Sequence, residues 1–244
     1  DQARRHYAGS MYAQGAANLQ AQIDAGVLMR EATPVYYVYR LKMGEHVQTG
    51  LVFTGSVADY DSNRIRKHEF TRPKKEDDRV RQITALNAET GPVLLAYRAS
   101  AAVGDIVQSV TDGVPLYDLV ADDGVGHTLW LMDDPARIAQ LTELFDAMDA
   151  LYIADGHHRS ASASRVAAAK NEGLNTASGE HSWDHFLCVA FPHDETQIFD
   201  YNRVVRDLNG HSTADLLASI DDRFMVREAD AEVRPAQPGE FGMY

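Results

Sequence analysis

The sequence predicts an α+β fold in which helices pack on a mixed β-sheet. Three observations lead to this prediction. Segments rich in β-branched and aromatic residues and segments with helical spacing of apolar residues both occur along the chain. The two kinds of segment do not alternate strictly, as they would around a purely parallel sheet. The 244 residues are 45% hydrophobic and 24% charged, an ordinary globular composition with enough chain to bury a core.

The first elements predicted are a helix and a β-hairpin. In residues 12–25, Ala and Leu lie between polar residues, and Gly26 is a typical end signal for a helix. Residues 35–41 and 47–57 are rich in β-branched and aromatic side chains, and Gly44 between them suits a tight turn.

A second helix is predicted over residues 75–90, because its apolar residues fall on one face and Gly91-Pro92 follows. Residues 93–97 and 127–132 are expected to form short strands.

A third helix is predicted to start at Asp134-Pro135, since Asp is a good N-cap and Pro suits the first turn. Residues 151–154 are typical of a short buried strand, and the Ala-rich residues 160–171 favour a helix.

The last elements are predicted from shorter patterns. Residues 186–191 and 197–201 are expected to form paired strands around a turn at Pro192. Ser212 is predicted to cap a helix, because its hydroxyl can accept a first-turn amide hydrogen. Residues 224–226 resemble a final strand.

The chain is expected to form one α+β region over residues 1–244 that is a fragment of a longer protein. It begins at Asp1 without an initiator Met or a signal-peptide pattern, and an apolar segment begins just before it stops. Residues 99–125 and 172–182 are rich in Gly with Asp, Ser or Asn, which predicts surface loops. A sub-boundary is expected near the first of these loops.

The net charge and the cysteine content indicate which binding partners and which cellular compartment to expect for the protein. Lys and Arg total 23 against 36 Asp and Glu, and the resulting net charge of −13 disfavours nucleic acid and anionic lipid as partners. No apolar run is long enough to span a bilayer, so no membrane association is expected. The single cysteine, Cys188, cannot form an internal disulfide, which favours the cytoplasm. A small-molecule ligand is therefore the expected partner.

The segment Asp155-Gly156-His157-His158-Arg159 falls at a predicted strand-to-helix junction. Backbone N–H groups in the first turn of a helix are unpaired, and the helix dipole adds partial positive charge there. Gly lets the backbone approach a ligand, and Arg can hold an anion with two hydrogen bonds. These features predict a site for phosphate or carboxylate, with Asp155 capping the helix, binding a divalent cation or orienting a histidine.

A second candidate is the stretch of residues 64–79, which is rich in Arg and Lys. It is expected either to form a basic wall for a polyanionic small ligand such as a nucleotide, with Glu69 as a general base, or to be the solvated, salt-bridged start of a helix. A third, weaker possibility is zinc binding. The histidines involved would be His68, His127, His157 and His158, although no HExxH or paired CxxC spacing supports it.

The sequence resembles the DUF1015 family, a bacterial and archaeal family of unknown function whose members run longer at both ends. The resemblance spans most of the chain in family order. It is carried by residues 37–40, 50–52, 67–71, 75–79, 91–93, 127–130, 152–159 and 200–205.

A more distant resemblance connects the Asp-Gly-His-His-Arg motif to free-serine kinases related to ParB and sulfiredoxin. That resemblance implies a ParB/sulfiredoxin-like core around the motif, with the motif holding nucleotide phosphates and a Glu from an earlier segment acting as the base. Here Asp155 to Arg159 match the motif residue for residue, and His68-Glu69 resembles the earlier acidic segment. Ser160 stands where Tyr is usual.

The first hypothesis from these observations is that the protein is a nucleotide-dependent phosphotransferase that acts on the hydroxyl of a small molecule. Glu69 would be the base, with His157 and His158 steadying the transferring group. Phosphates would be bound by Gly156 to Arg159 together with Lys67 and His68, with ADP or ATP as nucleotide and Mg²⁺ held at Asp155. The alternatives are a non-catalytic sensor of a nucleotide or phosphorylated metabolite, and a metal-dependent hydrolase.

Overall fold

The computed structural model describes residues 9–174, 179, 181–231 and 233–243. The chain divides into two compact units, residues 1–196 and residues 197–244. The prediction of an α+β fold with a mixed sheet is confirmed, because the described residues form seven α-helices and one mixed sheet of eight strands. Residues 99–125 lie within the first unit.

The elements are numbered here in chain order. The α-helices are α1 (Gly9–Asp24), α2 (Val57–Asp61), α3 (Pro73–Leu86), α4 (Ala101–Thr111), α5 (Pro135–Asp146), α6 (His157–Asn171) and α7 (Thr213–Asp221). The strands are β1 (Tyr36–Met43), β2 (His46–Ser56), β3 (Ile65–Arg66), β4 (Val93–Tyr97), β5 (Tyr117–Val120), β6 (Gly126–Met132), β7 (Leu151–Asp155) and β8 (His185–Pro192). Short 3₁₀ turns occur at Ser182–Asp184 and His193–Glu195.

The sheet has the strand order β3-β7-β4-β8-β2-β1-β6-β5. β1 and β2 form the predicted antiparallel hairpin, with Met43 opposite His46 and Gly44 at φ 58° in the turn. β4 runs parallel to β8 and antiparallel to β7, and β3 runs parallel to β7. The candidate site therefore lies at the end of a strand near one edge of the sheet.

The core lies on both faces of this sheet. Its fully buried large side chains include Leu95, Phe186 and Phe191 from the central strands. On α6 the small residues Ala163 and Ala167 are buried, so the helix can lie close to its neighbours. The single hydroxyl hydrogen of Ser162 on α6 is shared between the carbonyl oxygen of His158, at 2.6 Å, and that of Glu76 on α3, at 3.2 Å. This bond ties the start of α3 to the start of α6.

Helix boundaries follow local capping chemistry. Asp134 caps α5 as predicted, and its side chain accepts the amides of Ala136 and Arg137. The predicted end of the second helix at Gly91-Pro92 is wrong, because α3 ends at Leu86 and Asn87 takes the left-handed conformation with φ 50°. The last predicted helix starts where expected, since Ser212 forms a capping box with Asp215.

The prediction that residues 99–125 form a loop is wrong. They contain α4 and β5, and the buried side chains of α4 recur at helical spacing: Val103, Ile106, Val107 and Val110. Gly104 and Asp105 fall within this helix, where apolar burial outweighs their low helix propensity. Of the second predicted loop, residues 175–178 and 180 lie outside the described residues, and Glu172 and Gly173 form a turn.

Two predicted strands are also absent from the structure. Residues 197–201 and 224–226 form no regular secondary structure. β8 has β2 on one side and β4 on the other, so it has no free edge for a hairpin partner. No helix among the described residues is both long enough and apolar enough to cross a membrane.

Candidate functional site

β7 ends at Asp155 and α6 begins at His157, with Gly156 as the N-cap residue between them. Gly156 has φ +101°, a backbone angle that residues with a side chain rarely adopt. A Cβ at this position would lie 3.2 Å from the Cα of Val93. Only Gly fits this turn without strain. Since Gly156 has no side chain, no side-chain cap closes the first turn of α6. The N–H of Arg159 already donates to the carbonyl oxygen of Gly156 at 2.8 Å, so the N–H groups of His157 and His158 are the ones that can face an anion.

Asp155 is not the helix cap, so that part of the prediction is wrong. It is the last residue of β7, and its carboxylate accepts a hydrogen bond from the Arg159 guanidinium. The same guanidinium donates to the carbonyl oxygen of Pro92, just before β4. Arg159 therefore joins the ends of two neighbouring strands, and an anion bound here would compete with Asp155 for it.

Residues 67–72 connect β3 to α3 and lie against the start of α6; we call them the 67–72 loop. The rings of His68 and His157 meet edge to face with centroids 4.4 Å apart. Glu69 Oε2 lies 3.6 Å from His157 Nδ1, which is an ion-pair distance too long for a hydrogen bond. The backbone N–H of Arg72 donates to His158 Nε2 at 3.1 Å. The structure thus brings Glu69 and His68 to the motif, as the sequence analysis anticipated.

The two motif histidines have different surroundings. The His157 side chain is only 4% exposed, and its Nε2 is buried without a hydrogen-bond partner among the described residues. Burial, with a smaller contribution from His68, lowers the pKa of His157 and favours the neutral ring, while Glu69 acts in the opposite direction. His158 uses Nε2 to hold the 67–72 loop.

The basic stretch of residues 64–79 does not form one continuous wall. Arg64 donates to the carbonyl oxygens of Phe145 and Asp146 at the end of α5. Lys67 lies near α2 rather than hydrogen-bonding the motif, with Nζ 3.8 Å from the centroid of the Tyr60 ring. For the acidic residues at the start of α3, the alternative prediction of a salt-bridged helix start agrees better with the structure than the basic wall does. Arg165 of α6 pairs there with Glu76 and Asp77.

A cavity and a carboxyl group that no sequence pattern predicts lie beside the motif. A cavity of about 370 Å³ lies between α3, the α3–β4 connection and Arg159, and Glu89 is among its lining residues. Glu89 Oε2 accepts the backbone N–H of Leu187 at 2.9 Å, and burial raises the pKa of Glu89 to about 7. No local motif marks this residue, because its environment is made by segments distant in sequence.

The predicted metal ligands are not gathered into a site. Among residues 9–174, 179, 181–231 and 233–243, no group of three or more His, Cys, Asp or Glu side chains could hold a metal ion. His127 lies on β6, where its Nδ1 is 2.6 Å from the hydroxyl of Tyr39.

Together, these features define an α+β protein with a candidate anion-binding corner, Asp155 to Arg159, covered on one side by the 67–72 loop. The chain belongs to the DUF1015 family: the family model described as "Protein of unknown function (DUF1015)" matches residues 1–244. No curated protein and no solved structure matches the chain. The ParB/sulfiredoxin-like core therefore stays a prediction.

Proposed function

We propose that the protein is a nucleotide-dependent phosphotransferase that acts on the hydroxyl of a small molecule. The observation that carries this proposal is the position of Glu69. Its carboxylate lies 3.6 Å from His157 Nδ1, beside the uncapped first turn of α6. A potential base and the amides proposed to bind phosphate are thus neighbours, and phosphoryl transfer requires mainly such positioning and charge neutralisation.

In the proposed reaction, the amides of the first turn of α6 and the Arg159 guanidinium hold the phosphates of ATP or ADP. An acceptor hydroxyl attacks the terminal phosphorus, Glu69 takes the hydroxyl proton, and the shortened nucleotide leaves. The Glu69 side chain is 59% exposed, so a substrate can reach it. His68 belongs to the same loop and offers a hydrogen-bond donor near the phosphates, whereas Lys67 would have to turn from the Tyr60 ring to add its positive charge there.

The histidines of the motif have separate proposed roles. His157, with its buried and unpartnered Nε2, steadies the transferring group when the ligand orders the site. His158 acts by holding the 67–72 loop through the Arg72 amide, which keeps Glu69 in place. Both roles are roles of position rather than of proton transfer.

Mg²⁺ is the cation we expect with the nucleotide. It is usually held by one or two carboxylates plus substrate phosphates, and Asp155 offers one exposed carboxylate next to the proposed phosphate position. Asp155 is at present paired with Arg159, so it would have to exchange that partner for the ion. When bound, Mg²⁺ would neutralise phosphate charge.

Calorimetric titration of the full-length protein with ATP and ADP in Mg²⁺ tests the proposal. Arg159→Ala is expected to weaken binding about ten-fold or more, since it removes a charge-assisted contact. Arg165→Ala is the matched control, because Arg165 lies on the same helix and pairs with Glu76 and Asp77. No binding to the wild type, or equal binding to the wild type and Arg159→Ala, would discard the proposal.

A sensor that binds a nucleotide or phosphorylated metabolite without turnover is the second candidate, supported by the same uncapped helix start. It does not require Glu69. If Glu69→Gln abolishes transfer to hydroxyl acceptors and leaves nucleotide affinity intact, the enzyme is favoured; if the wild type shows no turnover with any acceptor, the sensor is favoured. The metal-dependent hydrolase is not supported by the described residues, which hold no group of three or more side chains that could bind a metal ion; metal analysis of the purified protein tests it.

The amino-acid composition and the state of the cysteine support the expected binding partners and cellular location. A net charge of −13 makes nucleic acid an unfavourable partner. A cytoplasmic location is part of the proposal, since Cys188 is a buried free thiol.

A further inference from the structure

The cavity beside Arg159 shares that residue with the candidate phosphate site. The Arg159 guanidinium bonds Asp155 at the end of β7, and the same side chain lines the cavity. A ligand could therefore hold its anionic end at the first turn of α6 and extend past Arg159 into the cavity. The other lining residues used below are Arg79, Gln82, Ile83, Ala88, Glu89 and Thr90.

The size of the cavity suits more than a phosphate group. Its volume of about 370 Å³ falls in the range typical of small-molecule sites. Ile83 and Ala88 supply apolar surface, and Arg79 supplies a guanidinium that can lie against an aromatic ring. Thr90 offers a hydrogen-bond donor and an acceptor, and Gln82 offers its amide N–H groups, since its Oε1 accepts from Arg79 at 2.7 Å. This mixture suits a molecule with an aromatic ring and several hydroxyl groups.

Glu89 adds a specific requirement for a hydrogen-bond donor. One carboxylate oxygen, Oε2, accepts the Leu187 amide, and the Glu89 side chain is half-buried. A buried carboxylate gains from each donor that replaces lost hydration. Neighbouring hydroxyls of a sugar are such donors.

We propose that this cavity binds the ribonucleoside of the nucleotide whose phosphates lie at Asp155 to Arg159, with Glu89 accepting hydrogen bonds from the ribose hydroxyls. The inference rests on the proposed function and deepens it, because it selects a ribonucleotide over a phosphorylated metabolite without a base. Arg159 would then contact the phosphate nearest the ribose.

The test compares Mg²⁺-ATP with Mg²⁺-tripolyphosphate, which carries the phosphates but no nucleoside, in calorimetric titrations at pH 8. Glu89→Gln is the informative variant, because its amide oxygen can still accept the Leu187 N–H. We expect Glu89→Gln to weaken ATP binding about ten-fold, the loss of roughly one charge-assisted hydrogen bond. Tripolyphosphate affinity should stay equal or rise, since a negative charge near a polyanion is removed. Glu143→Gln, an exposed substitution on α5, should change neither affinity.

A second ligand pair gives an independent measure. The wild type should bind 2′,3′-dideoxy-ATP about ten-fold more weakly than ATP, and Glu89→Gln should bind the two equally. If Glu89→Gln fails to fold, Ala88→Leu fills part of the cavity and should weaken ATP more than tripolyphosphate.

Each outcome decides between the proposals. Equal loss of ATP and tripolyphosphate affinity in Glu89→Gln, or unchanged ATP affinity, overturns the nucleoside site. Wild-type protein that binds tripolyphosphate as tightly as ATP also overturns it and leaves the phosphate site standing. If the wild type binds neither ligand, the proposed function fails and the inference fails with it.

Discussion

Glu69 Oε2 and His157 Nδ1 lie 3.6 Å apart, although Glu69 precedes α3 and His157 begins α6. Their approach is supported by the bond between the Arg72 amide and His158 Nε2. It is also supported by the Ser162 hydroxyl, which joins α6 to the Glu76 carbonyl. The C-terminal end of the loop that carries the proposed base is thus held against α6, directly at Arg72 and through the start of α3 at Glu76.

Gly156→Ala should destabilise the protein by about 1–3 kcal/mol, because φ +101° is strained for Ala and the new Cβ would crowd the Val93 backbone. Urea unfolding measures the change. Gly124→Ala is the matched control, since Gly124 has φ +82° with nothing within 4 Å of an added Cβ. If both variants lose the same free energy of unfolding, the close approach of the new Cβ to Val93 does not contribute to the destabilisation.

His158→Ala should loosen the 67–72 loop while the sheet stays intact. The variant removes the acceptor of the Arg72 amide, a hydrogen bond worth about 1 kcal/mol. We expect amide exchange at Arg72 to accelerate about five-fold, measured by hydrogen–deuterium exchange on a peptide that covers the loop. Exchange in β4 should not change. Unchanged exchange at Arg72 would contradict the proposed role of His158.

Glu89 should make the folded state less stable as the pH rises. Its pKa is raised from 4.5 to about 7, so the folded protein holds this proton more tightly than the unfolded chain does. The contribution of this proton to the free energy of unfolding is fully present below about pH 4.5 and is lost as the pH rises through about 7. Glu89→Gln should therefore gain stability relative to the wild type between pH 5 and pH 8, by on the order of 3 kcal/mol. Urea unfolding at the two pH values measures this, and a constant difference would contradict the burial of Glu89.

His157 should have the opposite pH dependence. Because its pKa is lowered by burial, the folded state favours the neutral ring. The contribution is fully present above the unfolded pKa of about 6.5 and is lost as the pH falls through that value toward the lower folded pKa. The wild type should therefore lose more stability between pH 7.5 and pH 5.5 than His157→Gln. NMR titration of the His157 ring provides the direct measurement, and an unshifted pKa would contradict the prediction.

Local chemistry predicted several elements well. The residues predicted for β4, 93–97, match its bounds, and Asp134 caps α5 as expected, because short patterns and caps depend on neighbouring residues. Gly104 and Asp105 disfavour a helix and predict a loop, but α4 forms because its buried Val and Ile side chains recur at helical spacing. Residues 197–201 have strand-like side chains, but strand propensity does not show whether a sheet has a free edge.

The candidate site was predictable in part. The residues at Asp155 to Arg159 indicated an anion site because Gly and the start of a helix act locally. The nearness of Glu69 followed from a resemblance rather than from spacing. The cavity and Glu89 were not predictable, because their surroundings are completed by Arg159 and Leu187, which are distant in the chain from residues 79–91.

The sequence by itself determined most of the strands and helices, the strand-to-helix junction around Gly156 and the acidic character of the chain. Tertiary structure alone decided that β8 lies between β4 and β2, that the 67–72 loop reaches α6, and that Glu89 is half-buried. The physical reason is that the interactions involved act over different distances along the chain. Dihedral preferences and capping bonds act within a few residues, whereas burial and contact between distant segments depend on how the whole chain packs.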